Sequence, residues 1–292
     1  MELDMNRLAL GTVQFGIPYG VANSRGQVSI ETATEILKYA WSEGVNTLDT
    51  AIAYGDSEQR LGNIGVESWQ VISKLPKIPS GTNDILNWVK QGVYASLERL
   101  KISQLYGLLL HCPQQLLNPE GDMLYIALNW LKENNLVCKI GISIYDPNEL
   151  EELFSRFQFD LIQSPFNVLD RRLEKSGWLS RLKEIGIEVH VRSVFLQGLL
   201  LMNTSARPGY FNPWQQLWEQ WEEWLAENNL TPLQACLGSV LSNSEIDRIV
   251  VGVDSVSHLQ EICTVLKNSL SVSPEDLYSD DINLINPSIW KI

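Results

Sequence analysis

Eight short apolar runs, each followed by a longer stretch, constrain this chain more than any other feature. The runs are Leu8–Thr12, Val45–Leu48, Gln70–Leu75, Tyr106–Leu110, Val137–Ile142, Phe159–Gln163, Ile187–Val191 and Arg248–Val251. Short runs of this kind, bounded by polar and turn-forming residues, suit strands. Helical spacing fills Ser29–Ser42, Asn83–Leu100, Met123–Asn134, Pro147–Phe157, Leu173–Ile185 and Ser257–Asn268. In the second of these, Ile85, Val89, Val93, Leu97 and Leu100 recur every three or four residues and share one face, and Thr82 or Asn83 can cap its start. Strand–helix alternation implies a parallel sheet covered by helices. Eight such units in 292 residues favour a closed (β/α)8 TIM barrel over an open sheet, since that fold takes roughly 250 residues. The class is α/β.

No Pro/Gly/Ser-rich linker divides the chain, so residues 1–292 read as one domain, with a core at about 8–267. The tail, 268–292, reads as irregular and acidic in its middle (Glu275, Asp276, Asp280, Asp281), lying over the barrel surface or mouth. The largest insertion, Asn203–Pro213, follows the seventh run and leads into a Trp-rich helix. There Trp214, Leu217, Trp218, Trp221, Trp224 and Leu225 line one side, as an ordinary packing face would. A formal charge of −13 with no basic stripe argues against nucleic acid or an anionic membrane as partner. The longest apolar stretch, Ser193–Met202, is too short to span a bilayer and is interrupted by Gln197 and Gly198. The opening MELDMNRLAL carries acids early and has no basic start followed by an apolar run, so a cytoplasmic location is expected. The sequons at Asn203 and Asn229 then read as chance matches. Cys112, Cys138, Cys236 and Cys263 form no CxxC pair and read as reduced thiols. His111, His190 and His258 are too dispersed for a zinc site, and no metal is expected. A monomer is the default.

In a parallel barrel, reactive groups gather at the C-terminal ends of the strands. Asp49 follows the second run, with Tyr54 five residues on; Lys74 sits near the end of the third and His111 follows the fourth. A carboxylate, a phenol, an ammonium and an imidazole thus converge on one rim. That set suits proton transfer to a carbonyl oxygen. A free tyrosine titrates near pH ~10, and an ammonium at ~4 Å favours the phenolate by up to ~4 kcal/mol at an effective dielectric of ~20. Tyr54 beside Lys74 is therefore expected to be a strengthened acid. A buried Lys74 needs a counter-charge, and Asp49 is the candidate. His111 would orient the carbonyl or share in the transfer.

These residues resemble the aldo-keto reductases, NAD(P)-dependent enzymes on a (β/α)8 barrel, from about Leu8 to Ile262. DTAIAYGDSEQRLG (Asp49–Gly62) is similar to the family's DTAxxYGxSExxLG signature, and Lys74 and His111 fall at its other two catalytic positions. The resemblance implies Tyr54 as general acid, assisted by Asp49, Lys74 and His111, in reduction of an aldehyde or ketone to the alcohol. It also implies a cofactor set. Gly11 and Thr12 in ALGTVQFG resemble the first-strand loop under the nicotinamide, with Asp49 beside them. Ser143 in KIGIS and Gln163 in IQSPFN match the carboxamide residues. RSVFLQGLL, through Arg192, Ser193, Phe195, Gln197 and Gly198, resembles the segment that stacks on the nicotinamide and wraps the pyrophosphate. VVGVDSVSHLQEI is similar to the adenosine-end motif, with Gly252 and Glu261 in register and His258 nearest to a 2′-phosphate.

Several positions depart from the family. Ile144 stands where an Asn usually follows the carboxamide serine, and Arg192 where many members stack an aromatic ring. Val251 replaces a Pro, and Ile262 an Asn. Family habit favours NADPH, with NADH possible. The altered carboxamide and stacking positions also fit a nicotinamide-binding sensor or regulatory protein with little turnover. A barrel hydrolase or lyase without nicotinamide is a third reading. The partner expected is a small-molecule carbonyl substrate of unspecified identity. Tyr19, Trp41, Phe166, Arg192 and the Trp214 helix are candidates to face it, although Trp41 suits helix packing better.

Overall fold

Side chains alternate along a strand, so each apolar run presents one row to the barrel interior and one to the surrounding helices. In the computed structural model, which describes residues 5–268 and 277–291, the runs form eight parallel strands. They are β1 Leu8–Gly11, β2 Thr47–Asp49, β3 Gln70–Leu75, β4 Leu105–Leu110, β5 Val137–Ser143, β6 Leu161–Pro165, β7 Glu188–Arg192 and β8 Arg248–Gly252. They pair in chain order, and β8 closes on β1. β2 is shifted along from the apolar run Val45–Leu48, and Asp49 is its last residue.

The outer rows pack against the helices in one large apolar cluster. Inside, Ile72, Leu109 and Leu161 from β3, β4 and β6 form a separate buried cluster. Space there is short: a Cβ on Gly107 of β4 would lie 3.1 Å from Leu161 Cδ2 and 3.3 Å from Ile72 Cγ1. Two residues further on come Lys74 in β3, Gln163 in β6 and, just past the end of β4, His111. Period-two alternation therefore carries the interior row outward to the polar residues of the rim.

Around the barrel, helix Ile30–Ser42 starts at Ser29, whose hydroxyl accepts from the Thr32 amide. Helix Ile85–Leu100 buries Ile85, Val89, Val93, Leu97 and Leu100 as their spacing requires. Its cap is Asp84, not Thr82 or Asn83. The Asp84 carboxylate accepts from Asn87 N at 3.0 Å, and Thr82 donates instead to Pro79 O. The pattern over Leu173–Ile185 gives two helices, Arg172–Lys175 and Trp178–Glu184, because Gly177 turns the chain with φ +77°.

Trp218, Trp221 and Leu225 of helix Gln215–Glu227 are buried, so this is a packing face. The described part of the tail contains two short helical turns, Ile282–Ile285 and Pro287–Ile289. It docks on the loop after β6 (Ser279 N to Leu169 O, 2.9 Å) and on the insertion after β7. There Trp214 Nε1 donates to Asp281 at 3.0 Å and Trp290 packs edge-on against Phe211. Glu275 and Asp276 lie outside the described residues, as do Met1–Asp4 at the start of the chain. Among the described residues no helix is long and apolar enough to cross a membrane.

Candidate active site

At the rim, the ends of four strands knit into one hydrogen-bonded network. Lys74 Nζ donates to Asp49 Oδ1 at 2.6 Å and to Thr50 O at 3.0 Å. Gln163 Nε2 donates to the other Asp49 oxygen at 2.7 Å, and Ser143 Oγ to Gln163 Oε1 at 3.4 Å. All four side chains are buried. Burial pushes the Lys74 ammonium down, and the Asp49 charge and hydrogen bond oppose that shift.

Tyr54 and His111 sit above this network. Their rings meet edge-on with centroids 5.8 Å apart, and Lys74 Nζ lies 5.1 Å from the Tyr54 centroid. Among the described residues no side chain hydrogen-bonds to the Tyr54 hydroxyl or to the His111 ring. The structure corrects the expected role of Lys74. The Tyr54 phenol is not made more acidic; it is pushed above the ordinary tyrosine value, first by burial and then by the Asp49 carboxylate, with Arg192 pulling the other way. Burial is the larger cause; the Asp49 carboxylate, which also holds the Lys74 ammonium, adds to it. His111 is driven down to about 4 by burial, with Lys74 and Arg192 adding to the effect, so its imidazole is neutral at pH 7.

Much of Asp49–Gly62 is scaffold for Tyr54. Gly55 has φ +54°, and a Cβ there would lie 2.4 Å from Gly16 O. Ser57 Oγ donates to Thr12 O at 3.0 Å, tying the tyrosine loop to the end of β1. The buried Glu58 carboxylate accepts from Ser73, Ser96 and both arms of Arg99 at 2.6–2.8 Å. Gly62 lets helix Ser57–Ile64 press on Arg99 O, 2.0 Å from where a Cβ would be.

Tyr54 and His111 open onto a cleft of about 390 Å³. Its walls bring together Gly11, Thr12, Asp49, Arg192, Ser193, Phe195, Gln197, Gly198, Gly252 and His258. Lys74, Ser143 and Gln163 lie beneath this wall, in the Asp49 network. Glu261 is not at the cleft; it is exposed on helix Val256–Lys267, beyond His258. The loop after β7 is strained: Ser193, Leu196 and Gln197 have φ of +61°, +48° and +57°, followed by Gly198 at +90°. Such backbone clusters at binding sites. The loop after β1 reaches across to it, with Gln197 Nε2 bonded to the Tyr19 hydroxyl at 3.1 Å.

Arg192 lies over the Tyr145 ring at 4.3 Å and donates to Ile144 O at 3.0 Å. Of the other substrate-facing candidates, Tyr19 lines the cleft. Phe166 is buried elsewhere and Trp41 packs on Trp69 at the surface. Trp214 is committed to the tail. The cleft also takes in Gln14, Asn23, Tyr145 and Asp254, which their neighbours in the sequence motifs point to but do not single out.

Comparison with known proteins identifies the family and the fold. The description of the Aldo/keto reductase family matches residues 7–276. The chain is 25% identical to the NADH-specific methylglyoxal reductase of Escherichia coli (strain K12), over 92% of each protein. It is 23% identical to an aldo-keto reductase of Bacillus subtilis (strain 168), over 60% of this chain and 54% of that one. The fold is shared with an aldo-keto reductase from Bacillus halodurans in its holo form, with TM-score 0.73 and 21% identity over 91% of this chain and 88% of that one. This chain belongs to the aldo/keto reductase family, oxidoreductases that act on carbonyl compounds with NAD(P)H.

Proposed function

We propose that this chain reduces a small, polar aldehyde or ketone to the alcohol, with Tyr54 giving the proton to the carbonyl oxygen. One observation carries the reading: Tyr54 and His111 face the cleft with no hydrogen-bond partner among the described residues, above the hydrogen-bonded Asp49–Lys74–Gln163 network. A buried phenol held above its usual range keeps its proton at pH 7, as a donor must. As that proton leaves, the Lys74 ammonium beneath the ring compensates the charge developing on the tyrosine, and Asp49 and Thr50 hold the ammonium in place. Neutral His111 orients the carbonyl.

A bound nicotinamide dinucleotide supplies the hydride. The residues present fit that group. Gly11, Thr12 and the Ser193–Gly198 loop line the cleft beside Tyr54, and two buried oxygens there, Gln14 Oε1 and Asp254 Oδ1, have no hydrogen-bond partner among the described residues. Ser143 and Gln163 are the donors and acceptors available to a carboxamide, at the cost of rearranging the bond to Asp49. Tyr19, Tyr145, His111 and Arg192 give the substrate end a polar lining, which favours short oxygenated carbonyls over long apolar ones. The methylglyoxal reductase relative supports the same class. We place the activity in the cytosol, where four free thiols stay reduced, in a single-domain monomer.

Purified protein given reduced nicotinamide dinucleotide and a panel of 2-oxoaldehydes, simple aldehydes and ketones tests this. The expected result is oxidation of the nicotinamide with equimolar alcohol, fastest on the small oxygenated members. Cofactor binding without turnover on any member would favour the sensor reading instead. The resemblance alone favours NADPH; the far end of the cleft does not.

A further inference from the structure

Away from Tyr54, β8 ends at Gly252 and the chain passes through Val253 and Asp254 to Ser255, the cap of helix Val256–Lys267. Val253, Asp254 and His258 line the cleft there, together with Asn23. Asp254 Oδ1 is buried and has no hydrogen-bond partner among the described residues. Among the described residues the one Lys or Arg side chain in the cleft wall is Arg192, committed to Ile144 O and the Tyr145 ring. Arg25 is near enough to act on Asp254 but sits exposed on the first loop, outside the wall. The helix N-terminus, which would welcome an anion, already has the Ser255 hydroxyl as acceptor for His258 N.

Phosphate sites are built from guanidinium forks and ammonium groups, and a single imidazole is a poor substitute. A carboxylate does the opposite: it accepts a hydrogen bond from a ribose 2′-hydroxyl and repels a 2′-phosphate. We propose that Asp254 selects NADH over NADPH by accepting from the 2′-hydroxyl of the adenosine ribose. The proposal rests on the cleft being a nicotinamide dinucleotide site, as argued above, and goes beyond it in naming the form and the residue that chooses it.

The test is binding, read by titration of protein fluorescence or by calorimetry with NADH and NADPH separately, on wild type, Asp254→Asn and Asp254→Arg. Wild type should bind NADH at least about tenfold more tightly, a ratio worth about 1.4 kcal/mol. Asp254→Asn should narrow the ratio and Asp254→Arg reverse it, while both variants keep the wild-type circular dichroism. Arg25→Ala should leave the ratio unchanged. Wild-type preference for NADPH, a ratio unmoved in Asp254→Arg, or NADPH binding lost in Arg25→Ala would overturn the assignment. Failure of wild type to bind either dinucleotide would instead remove the cofactor reading on which it rests.

Discussion

A lysine, a carboxylate, a tyrosine and a histidine meet at both ends of this barrel, with opposite outcomes. At the C-terminal rim they are Lys74, Asp49, Tyr54 and His111. At the other end they are Lys139 of β5, Glu188 and His190 of β7, and Tyr106 of β4. There Glu188 accepts from His190 Nε2 at 2.8 Å, from the Tyr106 hydroxyl at 2.8 Å and from Lys139, and Lys139 also donates to the Tyr106 hydroxyl at 2.8 Å. Burial alone would raise the Glu188 carboxyl, but His190, Lys139 and Tyr106 hold it far below the usual range. The phenol and the carboxylate of the lower set are both bonded to partners within the set. At the rim the lysine and the carboxylate are bonded to each other and to Thr50 and Gln163. The phenol and imidazole are left open toward a cleft. Residue type therefore does not distinguish the two sets: His190 Nδ1 also lacks a hydrogen-bond partner among the described residues, but it is fully buried, whereas the open phenol and imidazole of the rim face a cleft.

Removing the two lysines should expose the contrast most strongly. Lys74 is 1% exposed, so Lys74→Met leaves the buried Asp49 carboxylate with Gln163 alone. A loss of about 3–5 kcal/mol in denaturant unfolding is expected, because an uncompensated charge is left inside. Reduction should fail in the same variant. Lys139 is 32% exposed and Glu188 keeps two other donors, so Lys139→Met should cost about 1 kcal/mol and leave kcat within twofold. Equal losses of stability in the two variants would break the comparison.

A smaller effect follows from His111. Its folded value is lowered from 6.5 to about 4. The unfolded chain therefore takes up a proton near 6.5 that the folded one refuses until about 4, so stability is present above 6.5 and is lost as pH falls through that window. Urea unfolding across that range should show wild type losing more stability than His111→Gln. The reduction rate should show no imidazole inflection between about pH 5 and 8. An inflection there would mean that His111 titrates as an ordinary histidine.

The barrel and the membership of the rim are legible in the sequence because both follow from period. Alternation carries Ile72 to Lys74 and Leu109 to His111, and strand order brings them side by side. What period does not encode is who bonds to whom. Lys74 is tied to Asp49 by a 2.6 Å contact, and burial together with the Asp49 charge reverses the expected acidification of Tyr54. Gln163 spends its amide on Asp49 rather than facing the cleft. Glu261 falls in register with a binding motif, yet the helix carries it outward to solvent. The lower tetrad is hidden because Tyr106, Lys139, Glu188 and His190 sit inside or beside apolar runs. Polar residues shared by three of those runs are the signal that would have found it.

The most direct test compares the two tyrosines. Single-turnover reduction of a small carbonyl should slow by about 10²- to 10⁴-fold in Tyr54→Phe, with dinucleotide affinity unchanged. Tyr106→Phe, which removes the same atom from the lower set, should keep the wild-type rate and lose only stability. Wild-type speed in Tyr54→Phe would contradict the assignment of that phenol as the acid.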